Sequence, residues 1–318
     1  MPTRRSFLLG GLAAAAMQFA PRRGHAREGA APEAGFVDLM PEFWRAYASA
    51  EGAADRARAL HDAFFAPRAS LYASAGLKPG IERVARWLPE FDAMADDVRR
   101  LAAGFPAVHA AHVRRFARAL PDFDHARTRI YLLPSLFAFD GHLEPGGEGL
   151  PLFIGADGLV RYHGSSPDLS VFLDHESFHL YQFQVAPGLI GDPAPPVYGA
   201  LWIEGTATYA SERLNPGAGL LHVLLDDAAL AGADAGTRRA VASAMLDALD
   251  STDEADAARF FSAGESGPFP ARGGYLVGLE VARRIGRELS LPELPRLQGP
   301  ALRERVAREL AALATGQA

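Results

Sequence analysis

Apolar positions recur at helical spacing from Val37 to about Leu120. Phe43, Trp44 and Tyr47 share one face, and Leu60, Phe64 and Phe65 repeat the spacing. Ile81, Val84, Trp87, Leu88 and Phe91 mark an amphipathic helix that starts after Pro79-Gly80. Phe105-Pro106 punctuates the chain before a further helix through Val108, Val113 and Phe116. The period then changes. Residues 128–133 are short, β-favouring and end at Pro134, and residues 136–139 predict a second strand. The turn-forming residues 145–149 precede a strand at 152–154, and Asp157-Gly158 predicts a hairpin turn into residues 159–162. These three or four strands make one small antiparallel or mixed sheet. Beyond Pro167 the helical period returns over about 168–185. After a loop holding Pro193, Pro195 and Pro196 it resumes over about 198–214, and Ala-rich helices follow, including 275–288 and 301–313. The predicted class is α+β, mostly helical, with a small sheet beside the central helices and helical N- and C-terminal parts.

Composition narrows the class. The 318 residues are 49% hydrophobic and 22% charged, as in a globular protein with a sizeable core. A net charge of −6 implies no broad basic surface for nucleic acid. Residues 1–26 stand apart: Thr3-Arg4-Arg5-Ser6-Phe7-Leu8 resembles a twin-arginine export signal, and Gly24-His25-Ala26 is a small-x-small cleavage site. The apolar run between them is shorter than the roughly 20 residues of a membrane span. The expectation is passage through the twin-arginine export machinery, cleavage near Ala26, and a periplasmic or secreted product without a stable membrane anchor. Cleavage there removes four arginines and no acid, moving the net charge from −6 to −10. Residues 27–36 read as a linker. Residues 37–318 read as a single domain with a helical part at 37–126, the sheet and central helices at 127–214, and a helical part at 215–318. The chain has no cysteine, which excludes disulfides, thiolate metal sites and cysteine nucleophiles and leaves His, Asp and Glu as strong metal ligands.

The sharpest chemical signal is His175-Glu176-Ser177-Phe178-His179. Residues i and i+4 stack on one helix face, so His175 and His179 can share one metal ion, for which neutral imidazoles suit zinc. Glu176 is turned about 100° from His175, placing its carboxylate beside the metal as a general base. Apolar residues on both sides (Leu169, Phe172, Leu173; Phe178, Tyr181, Phe183) support a helix there. Asp174 either hydrogen-bonds a ligand histidine or faces solvent. The candidate third ligand is Glu204, which sits 25 residues past His179 inside an otherwise apolar run (Leu201, Trp202, Ile203, then Ala207 and Tyr209), where a carboxylate without a partner is costly to bury. Metzincins place a third histidine soon after the motif, and residues 179–185 contain none.

The pairing His-Glu-x-x-His … Glu-Gly-x-Ala resembles gluzincin peptidases. More particularly, the chain is similar to a family of predicted zinc-dependent proteases (domain of unknown function 2268). Phe43-Trp44-Arg45-Ala46-Tyr47, Ser74-Ala75-Gly76-Leu77 and Gly274-Tyr275-Leu276-Val277-Gly278 carry the wider likeness. That resemblance implies a zincin-like core, a bound Zn2+ and a peptide or protein substrate. Gluzincins also use a remote Tyr or His to stabilise an oxyanion. Tyr275 after two glycines is the first candidate here, with Tyr209 and Arg272 behind it. An extended substrate is expected to add to the sheet at residues 152–154. His109 and His112, with no partner carboxylate in view, read as a surface pair. Hydrolysis of a non-peptide amide, or a non-catalytic zinc scaffold of the cell envelope, are the alternatives.

Overall fold

The computed structural model describes residues 35–143, 150–189, 195–264 and 269–317. The expected signal at 1–26, most of the linker at 27–36, the turn at 145–149 and Pro193 lie outside them. Strands β1 (Gly35–Asp38), β2 (Arg129–Leu133), β3 (Gly141–Leu143) and β4 (Pro151–Gly155) form one sheet in the order β1-β2-β4-β3. The first, second and fourth run parallel, and β3 pairs antiparallel with β4. Around the sheet lie α1 (Met40–Ala48), α2 (Ala53–Leu60), α3 (Ala69–Ser74), α4 (Ile81–Ala119), α5 (Ala156–His163), α6 (Leu169–Val185), α7 (Val197–Leu214), α8 (Leu220–Val223), α9 (Ala228–Ala231), α10 (Ala235–Asp247), α11 (Glu254–Phe261), α12 (Gly273–Ile285) and α13 (Gly299–Thr315). The fold is α+β and mostly helical, with a mixed sheet.

Four local expectations fail. Residues 35–38 are strand rather than linker and helix start, because Phe36 and Val37 pair with Ile130 and Tyr131. Asp38 then ends the strand by accepting from the Met40 N–H at 2.9 Å. Residues 136–139 turn instead of extending, with Leu136 and Phe137 at φ 54° and 56°. Residues 157–162 are helical (α5) rather than a hairpin. One buried carboxylate accounts for both of these last two. Asp157 accepts from the backbone N–H groups of Ser135 and Phe137, the Ser135 hydroxyl and Trp87 Nε1, and so holds the left-handed turn against the start of α5. A Cβ on Gly158 would fall 1.9 Å from the Phe139 carbonyl oxygen, so that glycine serves close approach rather than a turn.

Finally, α4 runs unbroken through Pro89 and Pro106 for 39 residues. A proline inside a helix costs roughly 3 kcal/mol. Buried Val98, Leu101, Ala102, Phe105, His112 and Phe116 keep one face on both sides of Pro106, and burying such side chains contributes about 1.5–3 kcal/mol for each large one.

The helices that carry the site are core elements. Asp168 caps α6 by accepting from the N–H groups of Ser170 and Val171. Every residue from Val171 to Phe183 is then buried, as in a helix surrounded on all sides. In α7, Gly199–Ser211 is buried likewise. Helices α7 and α12 meet backbone to backbone, since a Cβ on Gly205 would lie 2.4 Å from the Gly278 carbonyl oxygen. That contact sets Tyr275, one turn before Gly278, beside Glu204.

Candidate metal centre

His175 and His179 lie one turn apart on α6, and Glu204 projects from α7. His175 Nε2 and His179 Nε2 are 3.2 Å apart, and Glu204 Oε2 is 3.5 Å from each. All three residues are buried. A four-coordinate ion with bonds of about 2.0–2.1 Å spaces its ligand atoms roughly 3.4 Å apart. The triangle therefore has the dimensions of three corners of such a site, and these residues could hold a metal ion. Among the described residues Glu204 Oε2 has no hydrogen-bond partner despite its burial, a costly arrangement that a cation relieves.

The electrostatics point the same way. Burial pushes His175 down to about 4, with His179 and Arg272 adding to the effect against Glu204. Burial would also lower His179, but the Glu204 and Glu176 carboxylates and Gln182 outweigh it and raise its pKa. Burial would raise Glu204, yet His179 and His175 hold it well below the usual carboxylate range. The cluster thus keeps a carboxylate ionised and places it where positive charge is favoured.

A supporting residue that sequence reasoning missed fixes one candidate ligand. Gln182 Nε2 donates to the Ile203 carbonyl at 2.9 Å and lies 2.7 Å from Thr206 Oγ1, whose own proton goes to the Trp202 carbonyl. Its Oε1 is therefore the atom facing His179 Nδ1 at 2.8 Å and accepts the ring proton. That tautomer leaves the Nε2 lone pair for a metal. The signal was legible as a glutamine three residues after His179, on the same helix face.

Glu176 is 3% exposed, and its Oε2 has no partner among the described residues. Burial first, then the charges of Asp140 and Glu204, push it up to about 8. Its carboxylate lies against Gly141 of β3: a Cβ there would be 2.7 Å from Glu176 Cδ. The substrate edge expected at residues 152–154 is corrected by this arrangement. Strand β4 is hydrogen-bonded on both sides, by β2 and β3, so it has no free edge. The edge beside Glu176 is β3.

Tyr275 is buried, its ring stacked on His175 with centroids 6.1 Å apart. Burial, followed by Glu204, raises its pKa well above the ordinary value, so it is a neutral hydroxyl donor. Arg272 also reaches the site, with Cζ 4.2 Å from the Tyr275 ring centroid. Tyr209 does not. It packs against Gly286, and its hydroxyl is 3.5 Å from the Gly286 carbonyl.

Asp174 and His112 are corrected together. Neither faces solvent: they are 0% and 2% exposed. Asp174 accepts from His112 Nδ1 at 2.7 Å, from Arg115 and from Asn215, rather than from a ligand histidine. His112 Nε2 in turn lies 2.9 Å from Ser177 Oγ. These groups tie α6 to α4 and to the C-cap of α7, across 62 residues in the case of His112 and Asp174. Ser177 and His112 of this array line a cavity of about 370 Å³ together with His109 and His125. Ser177 sits mid-helix, where the backbone N–H groups are committed to the preceding turn and supply no oxyanion donor.

No family model, no curated protein and no solved structure matches the chain.

Proposed function

We propose that this chain is a zinc-dependent metallohydrolase of gluzincin type that cleaves peptide bonds outside the cytoplasm, after export through the twin-arginine route. One observation carries the reading: His175, His179 and Glu204 converge at ligand spacing, with the unpartnered carboxylate oxygen of Glu176 beside them. Two imidazoles and one carboxylate, without thiolate, are a donor set that suits zinc and leaves a position for substrate. A bound zinc ion supplies Lewis acidity toward a water or carbonyl oxygen and lowers the proton affinity of water.

The protein groups supply the rest. Glu176, buried and with a carboxylate oxygen that has no partner among the described residues, is placed to take a proton from water and return it to the leaving nitrogen. The Tyr275 hydroxyl, kept neutral, is a donor for negative charge that develops on the scissile carbonyl oxygen. Gln182 maintains the His179 tautomer. Strand β3 offers backbone groups to an extended peptide on the side away from β4, next to Glu176. A non-catalytic scaffold has no use for a buried carboxylate with an unpartnered oxygen at Glu176, which favours the enzyme over that alternative.

The test is hydrolysis of a peptide library by zinc-loaded protein, wild type against Glu176→Gln. The expected outcome is cleavage by wild type and a drop of at least ~10²-fold in the variant with metal content unchanged. A variant that cleaves as fast as wild type removes the mechanism.

A further inference from the structure

Arg272 is not used by the hydrolytic chemistry, and several observations about it coincide. It is 3% exposed. Its backbone is left-handed, at φ 60° and ψ 23°. Gly273 and Gly274, which tolerate that conformation freely, follow it, and neither has a positive φ. Strain therefore falls on the arginine itself, as it does where a side chain must be aimed. Its Nε is buried with no hydrogen-bond partner among the described residues. Its guanidinium lies over the Tyr275 ring, and that ring stacks on His175. Burial opposes its charge, and Tyr275, Asp140, Asp227 and Glu204 sustain it from nearby.

A buried guanidinium with an unused donor needs an anion. Asp140, Asp227 and Glu204 lie near enough to sustain its charge, yet its Nε donates to none of them, and a metal ion at His175, His179 and Glu204 would engage the last of these carboxylates. An oxyanion that exists only in the transition state does not answer a permanent cation, and the neutral Tyr275 hydroxyl is better matched to it. A carboxylate does answer it, because the planar fork of guanidinium donors fits two carboxylate oxygens.

We propose that Arg272 binds a carboxylate of the substrate beside the metal centre, the C-terminal carboxylate of a peptide in the first instance, and so directs cleavage to bonds near that group. The proposal rests on the metallohydrolase reading for the cleavage it directs, but its binding step can be read without turnover.

The first arm is calorimetric titration of zinc-loaded protein with hippurate and, separately, with its uncharged amide. Wild type is expected to bind the acid ~100-fold more tightly than the amide. Arg272→Ala and Arg272→Gln should bring the ratio to within a few-fold, and Arg272→Lys should keep part of it. Equal affinities in wild type overturn the proposal. So does a preference that survives in Arg272→Ala. If the alanine variant does not fold, the wild-type ratio and Arg272→Lys decide.

The second arm compares kcat/KM on peptides with free and amidated C termini, and with Glu or Gln side chains near the cleaved bond. A large loss on amidation identifies the terminal carboxylate, and a loss confined to Glu-to-Gln exchange identifies an acidic side chain. Indifference to both overturns the proposal. If no peptide is cleaved by wild type, the hydrolase reading fails, while the acid-to-amide binding ratio still judges Arg272.

Discussion

Replacing Gly141 by alanine places a methyl group where the Glu176 carboxylate already sits. The new Cβ would be 2.7 Å from Glu176 Cδ, 2.8 Å from Oε1 and 3.0 Å from Oε2. Carbon atoms in ordinary contact are about 3.5–4.0 Å apart, so one side must give by roughly 1 Å. The strand is held by pairing of Gly141 with Ile154 and His142 with Phe153, and by the Gly141 N–H donating to Asp140 Oδ1 at 2.8 Å. The carboxylate is the free end of a side chain and its Oε2 has no bond to lose. It is the carboxylate that yields.

A misplacement of about 1 Å in a reacting group costs on the order of 10²-fold in rate, or about 2.7 kcal/mol of transition-state stabilisation. The ligand atoms are untouched, so metal content should stay the same, and the overpacking should cost about 1 kcal/mol of stability. The assay is kcat/KM on a cleaved peptide, measured beside metal per chain and the thermal midpoint. Activity within threefold of wild type would refute the placement of Glu176 as base. A loss of activity that merely tracks loss of metal would refute it too.

Two further outcomes follow from the same geometry. Gln182→Leu removes the acceptor that orients His179 and should weaken metal affinity about 10–100-fold in a chelator competition, whereas unchanged affinity would show that the tautomer is set elsewhere. His163 sits between Asp140 Oδ2 at 2.8 Å and Asp226 Oδ2 at 3.1 Å. Burial lowers its pKa, the two carboxylates raise it more, and the net shift is upward. A histidine whose folded pKa is raised contributes stability that is complete below its unfolded value near 6.5 and is lost as pH rises through the folded value. Unfolding free energy from urea titrations should therefore fall from about pH 6.5 upward, and His163→Gln should flatten that fall. An identical slope in the variant would assign it to other groups.

The candidate metal ligands were legible because their signal is local or nearly so. His175 and His179 need only helix geometry, and Glu204 announces itself as a carboxylate inside an apolar run. Strands β2 and β4 were legible from β-favouring composition between proline and glycine boundaries. What stayed hidden depends on partners distant in sequence. Asp157 reads as a turn residue until its bonds to Ser135, Phe137 and Trp87 are known. Asp174 and His112 look like surface groups when each is read alone, because the bond between them crosses 62 residues. Strand β1 is four residues long, and its reason to be extended lies in β2. Pro106 reads as a helix stop because its local penalty is visible and the burial that outweighs it is not.

The central claim is that His175, His179 and Glu204 form one metal site, and metal per chain tests it most directly. Wild type, Glu176→Gln and Glu204→Ala are purified alike, exposed to zinc, exchanged into metal-free buffer and measured by elemental mass spectrometry. The expected result is about one zinc in wild type and in Glu176→Gln, and little in Glu204→Ala. No retained zinc in wild type after loading, or full retention in Glu204→Ala, would contradict the account.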